Sequence, residues 1–534
     1  MPGADAPMLT RRDLLVATAG GLLVGCGGDP ATPEGNLPLL PRRPVVPVNG
    51  PAWTGFAGNA QHSALSTVAS LSMRGFYWYT PVDLNPVYEN GALTTHYGSP
   101  LITRRNTVLV PVKVGASFNF RVERRVGANG DALRGLFSDY VAPPARWIAS
   151  FNPVLTPDNR MMMPLIGGRV QILADADADI PFTKNIAFYG DAAYAAAPGL
   201  FNGSVFINTP LTSDSAGNVF FGFQVLQVVS GGPAAGGIAR IPADGSAPTY
   251  RTAPAITGVA ALDKPQTNCA PALSLDGNTL YVVFNNSLPA AERPFGRLVA
   301  LDATTLALRA QVDLIDPATG ALAWVSNDAT SSPVVGPDGN VFVGVLESDA
   351  PNHNYRGWLL HFNGALTQAR TPGSFGWDNT PSVVPRAMVP QYTGSSGYLL
   401  LTKYNNYAGA GTGDGKNRMA ILDPNDLTQL DPIAPGVTVM REILTILGPT
   451  ADAGGPAGSV REWCVNTAAV DPFTSSVLMN SEDGVMYRWH LPSNTFTEKI
   501  TLNAGLFQSY TPTIIGPDGR IYAINNATLH SIGQ

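Results

Sequence analysis

The chain has 534 residues, with 56 glycines, 46 prolines, 45% hydrophobic residues and only 13% charged ones. Disorder needs low hydrophobicity with high charge, and helical arrays need helix formers at helical periods, so both are excluded in favour of a large, turn-rich β protein. A net charge of −6 is slight for this size and argues against a nucleic-acid partner.

Residues 1–26 read as an export signal. Thr10-Arg11-Arg12-Asp13-Leu14-Leu15 matches the twin-arginine pattern, and the apolar run Leu14–Val24 follows it. As a helix that run would rise about 16 Å, short of a bilayer core of roughly 30 Å, so it suits a signal h-region. It closes with Leu23-Val24-Gly25-Cys26, which resembles a bacterial lipobox. Cys26 is therefore expected to be lipidated and to anchor a protein that works outside the cytoplasm, in the periplasm or at the cell surface. Residues 27–50 hold six prolines and almost no periodic apolar pattern. Such chain stays extended, so this stretch reads as a tether.

The remainder, 51–534, repeats one unit: a polar residue, Pro, two to four apolar residues, a turn and another strand. The anchors are Ser99-Pro100-Leu101-Ile102, Asn152-Pro153-Val154-Leu155, Thr209-Pro210-Leu211, Ala270-Pro271-Ala272-Leu273, Ser332-Pro333-Val334-Val335, Thr380-Pro381-Ser382-Val383 and Thr511-Pro512-Thr513-Ile514. One further copy, Asn466-Thr467-Ala468-Ala469-Val470, has Ala468 in place of the proline. Asp276-Gly277, Asp338-Gly339, Asp483-Gly484 and Asp518-Gly519 are hairpin signals, expected as type I′ turns with positive φ at both central positions. Anchor spacings of 53, 57, 61, 62, 48, 87 and 44 residues match propeller blades of four strands each. The 87-residue gap reads as one blade enlarged by the Gly/Ala/Pro-rich insertion around Gly448–Gly458. About three strands follow Pro512, so Phe76–Val82 is expected to supply the missing one. The expectation is an all-β, single eight-bladed propeller, monomeric, closed end to end so that few sheet edges stay open.

Pro51-Ala52-Trp53-Thr54-Gly55-Phe56-Ala57-Gly58-Asn59-Ala60-Gln61-His62-Ser63 resembles the opening of bacterial pyrroloquinoline-quinone-repeat propellers. Ser332–Val343 and Thr511–Ala523 resemble their repeat unit. That family includes quinone-dependent dehydrogenases and also non-enzymatic lipoproteins such as the outer-membrane assembly propeller. The resemblance therefore implies the fold, and pyrroloquinoline quinone with calcium only as an alternative. The family's tryptophan-docking motif is kept at Ala300, Asp302 and Thr305, but Leu306 and Ala310 replace its Gly and Trp. The dehydrogenases' two adjacent cysteines have no counterpart here, and no matching calcium ligands are found.

Residues just before each anchor should lie near the axis. They include Tyr97, Phe151, Asn152, Asn208, Asn268, Trp377, Asn379, Trp463, Asn466, Gln508 and Tyr510, candidate binding residues because aromatic faces beside convergent amides suit a small ligand or a peptide. The competing reading is that Asn and Asp cap turns where eight strands converge. Glu462, Asp378, Asp328 and His96 could act as general acid and base at the same mouth. Cys269 and Cys464 read as buried thiols. Asp175-Ala176-Asp177-Ala178-Asp179 imitates a calcium loop and Gly411–Asn417 a phosphate loop, both without the full pattern. No zinc spacing or heme attachment motif is present, so the residues by themselves require no cofactor. The expected function is partner or small-ligand binding at the axial face, the partner being an envelope protein or a small molecule. The alternative is an enzyme using that mouth, either a quinone-dependent oxidoreductase or a cofactor-free hydrolase or lyase.

Overall fold

The computed structural model describes residues 48–89, 92–93, 95–115, 119–143, 151–179, 184–287, 294–327, 331–349, 351–504 and 510–534. Cys26 and the signal lie outside the described residues. Antiparallel sheets form an eight-bladed propeller. The inner strands begin at Leu101, Val154, Thr212, Ala272, Val334, Ser382, Ala469 and Ile514, each just after an anchor. They are two to four residues long, because the anchor proline lacks an N–H and fixes the chain direction. The second strands are mainly apolar runs such as Val341–Val345, buried on both faces by neighbouring blades.

The ring closes as the sequence suggests. Phe76–Pro81 pairs antiparallel with Thr528–Ile532, with Phe76 opposite Ile532 and Pro81 opposite Thr528, and becomes the outer strand of blade 8. Trp78, on this strand, packs with Tyr522 at 5.6 Å and donates its indole N–H to Gly127 O in blade 1, 2.8 Å away. The long gap is one blade, blade 6, with no ninth. Its extra length is spread, however: besides the segment around Gly448–Gly458, a hairpin of Thr428–Leu430 and Thr438–Met440 is inserted before the fourth strand, Glu442–Leu447.

That hairpin repairs its neighbour. Blade 5 forms only a three-stranded sheet, Val334–Val335, Val341–Val345 and Trp358–Phe362. Val437 and Val439 of the hairpin pack into the apolar cluster of Val341, Val343, Trp358 and Leu360. Asp431 pins the tip: its carboxylate accepts from Ile433 N at 2.8 Å, Ala434 N at 2.7 Å, His353 Nε2 at 3.2 Å and the Ser374 hydroxyl. Despite its burial, the partnership with His353 and Ser374 holds the Asp431 carboxyl below the usual range.

The Asp-Gly turns differ from the expected type. In Asp276-Gly277, Asp338-Gly339 and Asp518-Gly519 only the glycine has positive φ, at 72°, 81° and 81°. Each glycine N–H closes a turn onto Ser274 O, Gly336 O or Gly516 O, at 2.9 Å. The aspartate instead stays on the ordinary side of φ and caps the amide two residues on, as Asp338 Oδ1 does for Asn340 N at 3.0 Å. A type I turn followed by a left-handed glycine has this form, and the Asp side chain is what selects it. Asp483-Gly484 joins the second and third strands of blade 7 rather than the first and second.

The opening segment has a role that its sequence does not declare. Residues 50–71 run across one end of the axis and bond to the ends of the inner strands: Trp53 pairs both ways with Ile102 (2.8 and 3.1 Å), Thr54 O accepts Leu155 N (2.8 Å), Ala60 O accepts Leu273 N (2.8 Å), and Gln61 O accepts Val335 N (3.0 Å). Ser63 O then accepts Val383 N (2.9 Å), Ala64 O accepts Val470 N (2.9 Å), and Leu71 N reaches Gly519 O (2.8 Å). Seven of the eight blades are thereby joined to one segment, which plugs this end. Its tight path puts Ala57, His62 and Ala64 at φ of 50°, 60° and 54°, a region that costs non-glycine residues free energy. Buried His62 donates from Nδ1 to Pro333 O at 2.7 Å.

Burial lowers His62, His361 and His530 to about 4. Folded values below the ordinary 6.5 mean neutral rings in the fold, a contribution present above pH 6.5 and lost as the pH falls from 6.5 toward 4. Unfolding near pH 5 should therefore take up about two to three protons on these rings, and His62→Asn should reduce that by about one, read from the pH dependence of urea unfolding. Asp431→Ala, which strands His353 and Ser374, should cost about 3 kcal/mol and open the 428–440 hairpin to limited proteolysis.

Candidate functional site

The end opposite the plug is the mouth, where the chain enters each inner strand. Here the polar residues beside the anchors join neighbouring blades in a closed hydrogen-bonded circuit. Ser99 N donates to Asn152 Oδ1 (2.7 Å), Leu211 N to Asn152 O (3.4 Å), Asn268 N to Asn208 O (2.7 Å), and Ala270 N to Ser332 Oγ (2.9 Å). Ser332 N donates to Thr380 Oγ1 (2.9 Å), Thr380 N to Asn466 O (3.2 Å), Thr513 N to Thr467 O (3.3 Å), and Thr511 Oγ1 to Tyr97 O (3.0 Å). Every inter-blade junction is crossed. Asn152, Asn208, Asn268 and Asn466 thus do structural work as turn and junction residues, and Asn208 also donates to Pro265 O at 2.9 Å.

Four predicted residues come together with one that the sequence reading missed. Lys403, at the mouth end of the second strand of blade 6, is fully buried, with Nζ 3.6 Å from Asp378 Oδ2. Its ammonium lies 5.3 Å from the centre of the Tyr510 ring and 5.9 Å from that of Phe375. His96 stacks on the other partner of this group, Tyr510, at 3.9 Å between ring centres. Asn379, beside Asp378, donates to Thr402 Oγ1 at 2.7 Å. A cation, a carboxylate, an imidazole and a phenol from blades 1, 6 and 8 therefore share one small volume at the axis. Asp378 sits at φ 54°, a left-handed conformation that holds its carboxylate there. Trp377 and Trp324, both half-buried, lie 6.3 Å apart beside it.

The other predicted residues go elsewhere. Tyr97 turns to Asp83, donating its hydroxyl at 2.9 Å, and Asp83 is clamped by the buried Lys113 ammonium at 3.0 and 3.1 Å. Burial and the Asp83 charge push the Tyr97 phenol well up. Phe151 stacks on Phe120 in the apolar core. Trp463 is core as well, edge-on to Tyr487, its backbone locked to Asn405 in both directions at 3.1 Å. Glu462 contributes its backbone N–H to Glu482 Oε1 (3.2 Å), and Cys464 Sγ faces Glu482 Oε2 (3.3 Å). Asp328 and Gln508 lie outside the described residues.

Lysine was the missed signal. The chain has six lysines, and three, Lys113, Lys264 and Lys403, are buried at the mouth end of second strands or paired with one. Lysine is almost never buried unless partnered, so Lys inside an apolar run, as in Leu401-Thr402-Lys403-Tyr404, marks a built polar site.

Cys269 and Cys464 are both buried, and burial pushes the Cys269 thiol up to about 12. The phosphate-loop lookalike spends its amides internally: Thr412 N on Asn354 Oδ1 (2.9 Å), Gly413 N on Ala410 O (2.8 Å) and Gly415 N on Asn406 O (2.7 Å). Asp175, Asp177 and Asp179 bind Asn159, Thr103 and Arg124 respectively, tying blade 1 to blade 2. Asp302 caps Thr304 N and Thr305 N within a turn and pairs with Arg309. A quinone held with calcium does not fit the described residues. No three His, Cys, Asp or Glu side chains come together among them, and Asp378 faces the Lys403 ammonium.

Removing one partner of a buried ion pair strands the other. Lys403→Met or Asp378→Asn alone should each cost about 3 kcal/mol, and the double variant should recover part of that loss, as urea unfolding of the cycle would show.

Solved structures share the fold. A europium-containing methanol dehydrogenase superposes with a TM-score of 0.52 at 10% identity, covering 89% of each chain. A quinohemoprotein alcohol dehydrogenase from Comamonas testosteroni gives 0.47 at 10% identity, covering 91% of this chain and 81% of that one. BamB from Moraxella catarrhalis gives 0.40 at 10% identity, covering 86% and 98%. No family model and no curated protein matches the chain in sequence.

Proposed function

We propose that the chain is an extracytoplasmic propeller, held at a membrane through lipid on Cys26, that binds a small polar ligand or a segment of an envelope protein at its axial mouth. The observation that carries this reading is the group of Lys403, Asp378, His96 and Tyr510, gathered from three blades at the end of the axis opposite the N-terminal segment. A propeller needs only apolar contacts and hydrogen bonds at its centre. Burying an ammonium and a carboxylate there costs desolvation that hydrophobic residues of the same volume avoid, and such retained charge marks functional sites. No described helix is long and apolar enough to cross a membrane.

A second reading uses the same group for catalysis. Lys403 and Asp378 could position a substrate's charged group, and His96 could move a proton at the imidazole. The same four side chains serve both readings, and bound ligand against turnover separates them.

Native mass and absorbance spectroscopy of protein exported by its own host should show a small polar ligand, or an envelope protein captured on crosslinking. Replacing His96 by Ala should weaken that binding about tenfold or more, which is about 1.4 kcal/mol, while leaving the unfolding midpoint within a few degrees. Binding unchanged in this variant and in Lys403→Met/Asp378→Asn would remove the axial mouth from the function.

A further inference from the structure

The described chain starts at the plugged face. Gly50 N donates to Arg104 O at 3.0 Å in the first turn of blade 1, and Gly50 lies against Pro517 in the first turn of blade 8. The tether therefore leaves from the corner between these two blades, on the face away from the mouth. Four exposed arginines stand on this side of the plugged face: Arg104 and Arg105 in the first turn of blade 1, Arg134 in its last connection, and Arg74, which precedes the outer strand of blade 8 on its blade 7 side, next to Met73, whose N–H donates to Glu498 at 3.0 Å. Among the described residues no carboxylate or other side chain engages any of the four.

The corner is one continuous surface. Asn106 Nδ2 reaches Asp518 Oδ2 (2.6 Å), Gly127 N donates to Asn106 O (2.8 Å), Trp78 Nε1 donates to Gly127 O (2.8 Å), and Gly130 packs against Trp78. These contacts fix the blade 1 turns against the blade 8 outer strand. Leu133, 39% exposed, stands beside Arg134. The acidic groups here are weak competitors. Asp131 is exposed and hydrogen-bonded by Asn129, Asp518 is held by Arg520 and Asn106, and Glu498, beside Arg74, is held by Arg488 at 2.8 Å and Met73 N at 3.0 Å. Arg42 and Arg43 add two cations in the adjoining tether sequence.

We propose that this corner is a docking surface for an anionic phospholipid bilayer, so that the propeller rests on the membrane by blades 8 and 1 with its mouth turned away. This rests on the reading of Cys26 as the anchor. The tether alone cannot orient the ring, since 21 extended residues reach up to about 65 Å. Arginines near an anionic surface each contribute about 1 kcal/mol within a Debye length. Asp158, Asp214, Asp276, Asp338 and Asp471 stand at the first turns of blades 2, 3, 4, 5 and 7 and are repelled, the blade 6 turn with Arg386 excepted, which makes the contact a corner rather than the whole face.

The test uses the full chain with Cys26→Ser, which removes the lipid. It should co-sediment with vesicles of phosphatidylcholine and phosphatidylglycerol at 50 mM salt, and leave them at 500 mM or when the vesicles are phosphatidylcholine alone. The variant R74S/R104S/R105S/R134S should partition at least tenfold less, with an unchanged unfolding midpoint because all four side chains are exposed. In the lipidated protein, a fluorophore at position 105 should be quenched by lipid-borne nitroxides and one at position 200, in the short helix Pro198–Asn202 on the mouth side, should not. Binding that ignores lipid charge, a quadruple variant that partitions as before, or quenching at 200 instead of 105 would overturn the proposal. The anchoring reading is judged separately: an acyl mass on Cys26 in protein from its own host upholds it, and a mass without lipid defeats it whatever the vesicles show.

Discussion

Each inner strand of this ring is a sheet edge, and eight edges face one narrow axis. Their N–H and C=O groups are shut off from free water there, and each left unpaired would cost on the order of 1–3 kcal/mol. The rest of the architecture follows from how this demand is met. At one end the N-terminal segment supplies backbone partners to the inner strands in turn. At the other, Ser, Thr and Asn beside the anchors carry the circuit from blade to blade. The inner strands stay as short as two residues because longer ones would present more backbone than these two devices can satisfy.

The same division explains how much could be read in advance. Blade number, anchor positions and ring closure depend on local patterns repeated along the chain: proline after a polar residue, apolar alternation, Asp-Gly. Each of these has its physical cause within a few residues. The plug was not legible because its partners lie from about 50 to about 450 residues away, and its own residues carry no periodic pattern. The candidate residues lie where the chain enters the inner strands, as the anchors imply, but the sequence does not sort them by what they touch. Asn152 and Asn208 look like ligand-binding amides in sequence and act as junctions. Trp463 looks like a platform and is core. Lys403, which organises the charged group, reads in sequence only as part of the flank of the Gly411–Asn417 lookalike, because a lone Lys in an apolar strand gives no motif. The Asp-Gly turns misled in a smaller way, since the type I′ expectation ignored the aspartate's own ability to cap the turn.

Charge is scarce in this protein, and its placement is correspondingly informative. Surface pairs such as Lys416–Asp414 are half-exposed and contribute little. Buried pairs stand at unusual points of the ring. Asp431 meets His353 where a borrowed hairpin completes blade 5, Lys113 meets Asp83 beside the mouth, and Lys403 meets Asp378 at the axis. The first of these is explained by architecture. The last is not, since the circuit of hydrogen bonds would close without it.

The plug also decides how the molecule bears load. Chain entering at Gly50 is bonded in succession to blades 1, 2, 4, 5, 6, 7 and 8 before it becomes the outer strand that closes the ring. A pull on the tether is thus applied along the hub of the wheel and not at one rim edge. It must shear a row of contacts spread over most of the blades before any single sheet is peeled. The segment that joins the propeller to its support is also the axle on which the blades are mounted.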